Sequence, residues 1–328
     1  MENNFNWDLS QFKNIYFELC SKAATIDTNS ELESENYAKI IKSMKLYNEL
    51  LENRENYELE SVAKLLYSDK LSSENKKIIT DDMIINYRNN NNLYYFDNNQ
   101  IEFLNSLINN ILTNPIDPID YKYKKIKVSD EDIYDNTINF YRNIDSQLAE
   151  YFEKAFSNKN SIDIRYTNKR QNGSQGMCYF DSYNKIPYFY TLRDNTIWDI
   201  YNFRHESCHG IAHMLNDNAI INNNIYRKIL NEVNTYFIEL LSDEELLINK
   251  YNKKDIIAYQ YNRLKTINGK SIFLYMSLLI NKLDDVNIKQ NIIYELIKFN
   301  ILNHEAVIRA LLKENSLNNV KYILSFLI

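Results

Sequence analysis

Three of the chain's four histidines fall within nine residues of one another, at His205, His209 and His213. The first two belong to Arg204-His205-Glu206-Ser207-Cys208-His209-Gly210, which carries the H-E-x-x-H pattern. On a helix, residues four apart share one face, so His205 and His209 can aim two imidazoles at one metal ion. Glu206 stands beside the first ligand, where a carboxylate can reach a water on the ion's open side. That arrangement is suited to zinc hydrolysis, with two His ligands and a carboxylate base.

Two histidines do not close a zinc site, which takes at least three protein ligands and, if catalytic, keeps a position for water. His213 is a poor third ligand. Eight residues of helix separate it from His205, a rise of about 12 Å, against zinc–nitrogen bonds of about 2.0–2.1 Å. The better candidate is Glu232, 23 residues after His209. That spacing leaves room for a turn and the entry to a second helix crossing behind the first. Its neighbours Val233, Tyr236 and Phe237 make an unpaired carboxylate there costly. Cys208 is one residue from His209 and projects about 100° away around the helix, so it reads as a packing residue.

The elements that must position these groups are mostly helical. Only four Gly and three Pro occur in 328 residues, a scarcity of breakers that favours long helices. Residues 8–68 read as helices, with Tyr47, Leu50 and Leu51, then Val62, Leu65 and Leu66, at three- and four-residue spacing. Residues 77–113 read as a further pair, and Asn114-Pro115-Ile116-Asp117-Pro118 as a loop. Helix returns from Asp130 to Ala155. Then Ile162–Tyr166, Gly176–Phe180 and Pro187–Leu192 read as three strands of a small antiparallel sheet, with Asn172-Gly173 and Asp181–Lys185 as turns. Pro187 cannot donate to a ladder, which places the third strand at an edge where an extended peptide could pair. Asp194 or Asn195 would cap the motif helix, and Trp198, Ile200 and Phe203 would anchor it. From Asn222 onward the chain is helical again, with Leu230, Val233, Phe237, Leu240 and Leu241 as one apolar stripe.

Bulk properties narrow the function classes. The net charge of −6 and the lack of a long basic run argue against nucleic acid as the main partner. No apolar segment is long enough to span a bilayer, and the N-terminus lacks the features of a signal peptide. Three widely spaced cysteines, Cys20, Cys178 and Cys208, suit a reducing compartment, so a cytoplasmic location is expected.

The order of several segments carries a resemblance. Asn168-Lys169-Arg170, Gly176-Met177-Cys178, Pro187-Tyr188-Phe189, Asp199, His205–His209, and Glu232-Val233 through Glu239 together resemble the oligoendopeptidase F / thimet oligopeptidase family of zinc metallopeptidases. The resemblance covers roughly residues 165–241. It implies His205, His209 and Glu232 as ligands of one Zn2+ per chain, Glu206 as the general base, and Glu239 as a residue orienting a ligand. It also implies a Tyr and a His near the C-terminus that stabilise the oxyanion. His304 is the remaining histidine, and Tyr322, Tyr259 and Tyr261 are the tyrosines available. The chain departs from the pattern in having Cys208 where Gly is usual, Thr235 where Ser is usual, Arg204 just before the motif, and a much shorter length.

The expected fold is therefore mainly α, with a small antiparallel sheet ahead of the active-site helix. A helical region over 1–125 would precede a catalytic region over 126–328. The expected function is zinc-dependent endopeptidase action on short, unfolded oligopeptides, with no nucleic-acid or membrane partner. The alternative is a catalytically weak relative that binds peptides or a protein through the same cleft.

Overall fold

The computed structural model describes residues 79–90, 97–113, 121–157, 161–167, 176–181, 186–215, 225–249, 251–299, 301, 304–313 and 316–327. The helices expected over 8–68, the loop at 114–118, the Asn168-Lys169-Arg170 run and the Asn172-Gly173 turn lie outside them. The described elements are α1 (Asp81–Asn90), α2 (Asn98–Thr113), α3 (Asp130–Ile144), α4 (Ser146–Phe156), β1 (Ile162–Tyr166), β2 (Gly176–Asp181), β3 (Ile186–Arg193), α5 (Ile197–Leu215), α6 (Ile225–Ile248), α7 (Lys253–Ile280), α8 (Ile288–Lys298), α9 (His304–Lys313) and α10 (Ser316–Leu327). The described part of the chain is thus mainly helical, with one small sheet. Among the described residues no helix is long and apolar enough to cross a membrane.

Contacts divide the chain into two compact units. Of the described residues, those between 123 and 222 and between 238 and 251 belong to the first, and those between 75 and 122, between 223 and 237 and from 252 on belong to the second. Helix α6 is one unbroken element that contributes its first half to the second unit and its second half to the first.

In the first unit, α3 opens on a capping box in which Ser129 and Asp132 exchange side chain–backbone bonds. Helices α3 and α4 pack with β3 and α5 around Phe140, Tyr141, Phe152, Phe156, Phe189 and Phe203. The Phe189 and Phe203 rings meet edge to face at 4.7 Å, which fixes the central strand on the motif helix.

The sheet is mixed, which corrects the antiparallel expectation. Its strand order is β1-β3-β2, with β1 parallel and β2 antiparallel to β3. The three strands alternate in direction along the chain. Because β3 inserts between the other two, it meets β1 running the same way. The edge position read from Pro187 is also wrong, since β3 is the central strand. Pairing with β1 starts only at Phe189, so on that side Pro187 forfeits no ladder bond, while Phe180 of β2 is its cross-strand partner. The edge next to the motif helix is β2.

The turn into α5 is held by a carboxylate inside the helix rather than by the expected caps. Asp199 accepts from the backbone N–H groups of Asp194 (3.1 Å) and Asn195 (2.8 Å). Asn195 takes a left-handed conformation (φ 59°) that Asn tolerates well. Arg193, at the end of β3, donates through Nε to Asp199 at 3.2 Å, through Nη2 to the Val128 carbonyl at 2.6 Å, and through Nη1 to Asp130. Both Arg193 and Asp199 are buried, and the paired charges lock the strand end to the helix start.

The second unit is organised on the long helix α7. One apolar cluster joins Ile84, Met276, Ile280, Ile288, Ile292, Leu296, Ile308 and Leu311. Another joins Leu104, Ile108, Ile267, Leu274, Leu278, Val320 and Ile323. Helix α10 is tied to the start of α6 by Ser325 Oγ, which donates to the Ile229 carbonyl at 3.1 Å.

Candidate metal centre

Helix α6 does not bury the apolar stripe read from its sequence. Leu230, Phe237 and Leu240 are 58%, 57% and 56% exposed, whereas Glu232 and Glu239 are 4% and 2% exposed. The inward face carries Ile229, Glu232, Thr235, Ile238, Glu239, Ser242 and Leu246, so its middle is polar. The hydroxyls are satisfied inside the helix, with Thr235 donating to the Glu232 carbonyl (2.8 Å) and Ser242 to that of Ile238 (2.7 Å). The two carboxylates need partners from elsewhere, because an unpaired buried charge is expensive. A helix that inverts its hydrophobic pattern at its centre marks a place where function overrides packing.

Three side-chain links in the first unit set α6 against α5. Tyr201 donates to Asp243. Arg204 donates to Glu245 at 2.9 Å, with its guanidinium 4.0 Å from the Phe140 ring centre. His205 Nδ1 lies 2.5 Å from Glu239 Oε1. Arg204 is therefore a buried brace between helices, which accounts for the unusual charge ahead of the motif. Its carbonyl accepts from Tyr141 at 2.9 Å, adding α3 to the support.

The His205–Glu239 contact decides how the imidazole is presented. A carboxylate facing Nδ1 favours the tautomer that carries its proton there and leaves the Nε2 lone pair for a metal. Metal-ligating histidines are typically held in this way by a carboxylate, which fixes ring orientation and raises ligand basicity. The His205 and His209 rings lie 5.0 Å apart, centre to centre.

His205, His209 and Glu232 each offer one ligand atom, and these atoms all lie within 4.8 Å of one another. A tetrahedral zinc with bonds of about 2.0–2.1 Å needs ligand atoms about 3.3 Å apart. The donor set of two imidazoles and a carboxylate fits zinc chemistry. Among the described residues this is the group of His, Cys, Asp and Glu side chains so disposed.

Glu206 does not belong to that group. It lies against the first residue of β2: a Cβ built on Gly176 would stand 2.7 Å from Glu206 Cγ and 3.1 Å from Oε1. Only a glycine leaves the carboxylate its place. Gly210 has a similar role on the other side of α5, where a Cβ would meet the Phe156 ring at 2.5 Å. Cys208 is buried in the apolar cluster, as its direction around the helix predicts. The Cys178 thiol is pushed up by burial, and further by the Glu206 charge and Cys208, so it is no candidate thiolate. His213, outside the cluster, is lowered to about 4 by burial.

The cation beside Glu232 was not legible in the sequence. Lys321 Nζ lies 2.6 Å from Glu232 Oε1. Its neighbours Val320, Tyr322, Ile323 and Leu324 are apolar or aromatic, and that contrast was the available signal. Tyr322 packs in the α7–α10 cluster, with the ammonium groups of Lys270 and Lys321 at 4.3 and 4.5 Å from its ring centre. His304 opens α9, and Tyr259 is buried on α7.

No family model and no curated protein matches the sequence. Solved structures do. An assigned oligoendopeptidase F from Bacillus anthracis strain Ames is 13% identical with a TM-score of 0.38, over 97% of this chain and 62% of that one. A second assigned oligoendopeptidase F gives 11% identity and a TM-score of 0.47, over 96% of this chain and 64% of that one. A PZ peptidase A with a bound inhibitor gives 10% and 0.43, over 96% and 64%. The chain thus spans less than two thirds of the length of these structures.

Proposed function

We propose that this chain is a zinc-dependent peptidase acting on extended oligopeptides, with His205, His209 and Glu232 as the metal ligands and Glu206 as the general base. The observation that carries the reading is the His205 Nδ1–Glu239 contact at 2.5 Å. A carboxylate on one ring nitrogen is what a metal-bound imidazole requires, and the ring of a second imidazole, His209, lies 5.0 Å away.

When bound, zinc polarises the substrate carbonyl and lowers the pKa of water to about 7. The chain's residues do the rest. Glu239 holds His205 in one tautomer and one orientation. Glu206, seated against Gly176, accepts a proton from the attacking water and returns it to the leaving amine as the peptide bond breaks. Strand β2 is paired with β3 alone among the described strands and begins beside Glu206. An extended peptide can add along that edge through backbone hydrogen bonds, which favours unfolded substrates over folded ones and tolerates varied side chains.

The test separates binding from chemistry. Glu206→Gln is expected to keep zinc and fold while lowering hydrolysis of a fluorogenic peptide by about a hundredfold or more. Equal turnover in variant and parent would remove Glu206 from the mechanism.

A further inference from the structure

The Lys321–Glu232 pair raises a question that the ligand assignment leaves open. The Lys321 side chain is 18% exposed, and its ammonium sits on an oxygen of a carboxylate that the metal would use. Its position is set by packing rather than by a loose loop. Val320 and Ile323 on either side are fully buried. One turn on, Ser325 fastens α10 to the Ile229 carbonyl, one turn before Glu232. The ammonium is therefore delivered to Glu232 by two helices clamped to each other.

A buried carboxylate needs a counter-charge, and in the ion-free chain Lys321 supplies it. A divalent cation on the same carboxylate would put like charges within a few ångströms, where repulsion in a poorly solvated site is strong. The two cations cannot share Glu232 at full strength.

We propose that Lys321 is a resident competitor for the metal, holding Glu232 while the site is empty and giving it up when zinc binds. The inference rests on the proposed ligand set. It makes Lys321 a positioning residue: it holds the ligand carboxylate in place without metal, and it sets the zinc affinity below what the three ligands alone would give. Metal binding then releases a cation from α10.

The experiment is a thermodynamic cycle on the full chain, using zinc and a chromophoric chelator, with Lys321→Met and Lys321→Arg. Methionine keeps the length and the apolar stem but removes the charge, and arginine keeps the charge. Zinc should bind Lys321→Met about tenfold tighter than the parent or better, and Lys321→Arg within a few-fold of it. The metal-free Tm of Lys321→Met should fall by a few degrees, while its zinc-saturated Tm should match the parent's. If the variant does not fold without metal, zinc should restore it, which is the same prediction in stronger form. The proposal is overturned if Lys321→Met binds zinc no more tightly than the parent, or if its loss of stability is equal with and without zinc, as a mere packing role would give. Failure of the ligand set reads differently: neither parent nor variant would bind zinc, and both proposals would fall together.

Discussion

Replacing Gly176 by alanine adds one carbon to the wall behind Glu206 and nothing else. No described glycine has a positive φ, so alanine fits the backbone without strain. The added Cβ would stand 2.7 Å from Glu206 Cγ, whereas carbon atoms in contact prefer about 3.5–4.0 Å. The side chain must therefore retreat by about 1 Å, and misplacement on that scale can cost about a hundredfold in rate. The ligands do not touch this position, so zinc affinity should stay within about twofold of the parent. The assay is kcat/KM on a fluorogenic peptide beside zinc titration of the same preparations. In the double variant, Gly176→Ala should add little to the loss already caused by Glu206→Gln, because both act on one group. Full activity in Gly176→Ala would refute the placement of the base. A parallel loss of zinc would show that β2 supports the metal rather than the proton transfer.

Two further predictions test the supporting residues. Glu239→Gln keeps the shape of the side chain that faces His205 Nδ1 but removes its charge, and zinc affinity measured by chelator competition should fall about 10–100-fold; unchanged affinity would mean that Glu239 does not orient the ligand. His213 is lowered to about 4 by burial from an ordinary 6.5, so the unfolded chain takes a proton that the folded chain refuses. Its contribution is thus complete above about pH 6.5 and is lost as the pH falls toward 4, about 3 kcal/mol in all. Metal-free His213→Gln should accordingly lose less stability than the parent between pH 7 and pH 4 in urea unfolding, and an identical loss would show that His213 does not set the slope.

The motif helix was legible because its signals are local. The shared face of His205 and His209, the anchors Ile200 and Phe203, and the burial of Cys208 all follow from 3.6 residues per turn. Strand locations were legible for the same reason, through alternation between turn residues. Their arrangement was not. Whether β3 lies at an edge or in the centre depends on which strand inserts between the others, and Pro187 pointed the wrong way because pairing with β1 begins two residues later. The capping of α5 was misread because Asp199 reaches back from within the helix, a contact that a search for residues ahead of the helix does not find. Helix α6 was misread most fully. Its leucines advertise a buried stripe, yet Glu232 and Glu239 are buried while Leu230, Phe237 and Leu240 face out, and Glu239 finds its partner in His205. Lys321 carries no motif at all and is recognisable only once α10 is seen to rest on α6.

The central claim is that His205, His209 and Glu232 hold a single zinc ion, and zinc per folded chain is its most direct measure. Native mass spectrometry of the parent, His209→Ala and Glu232→Ala, each reconstituted with zinc and dialysed against a weak chelator, reads that number. The parent should carry about one zinc, an open-site stoichiometry for three protein ligands, and either variant almost none while both remain folded by circular dichroism. A parent without zinc, or a Glu232→Ala chain that retains it fully, would show that these three residues do not hold the ion.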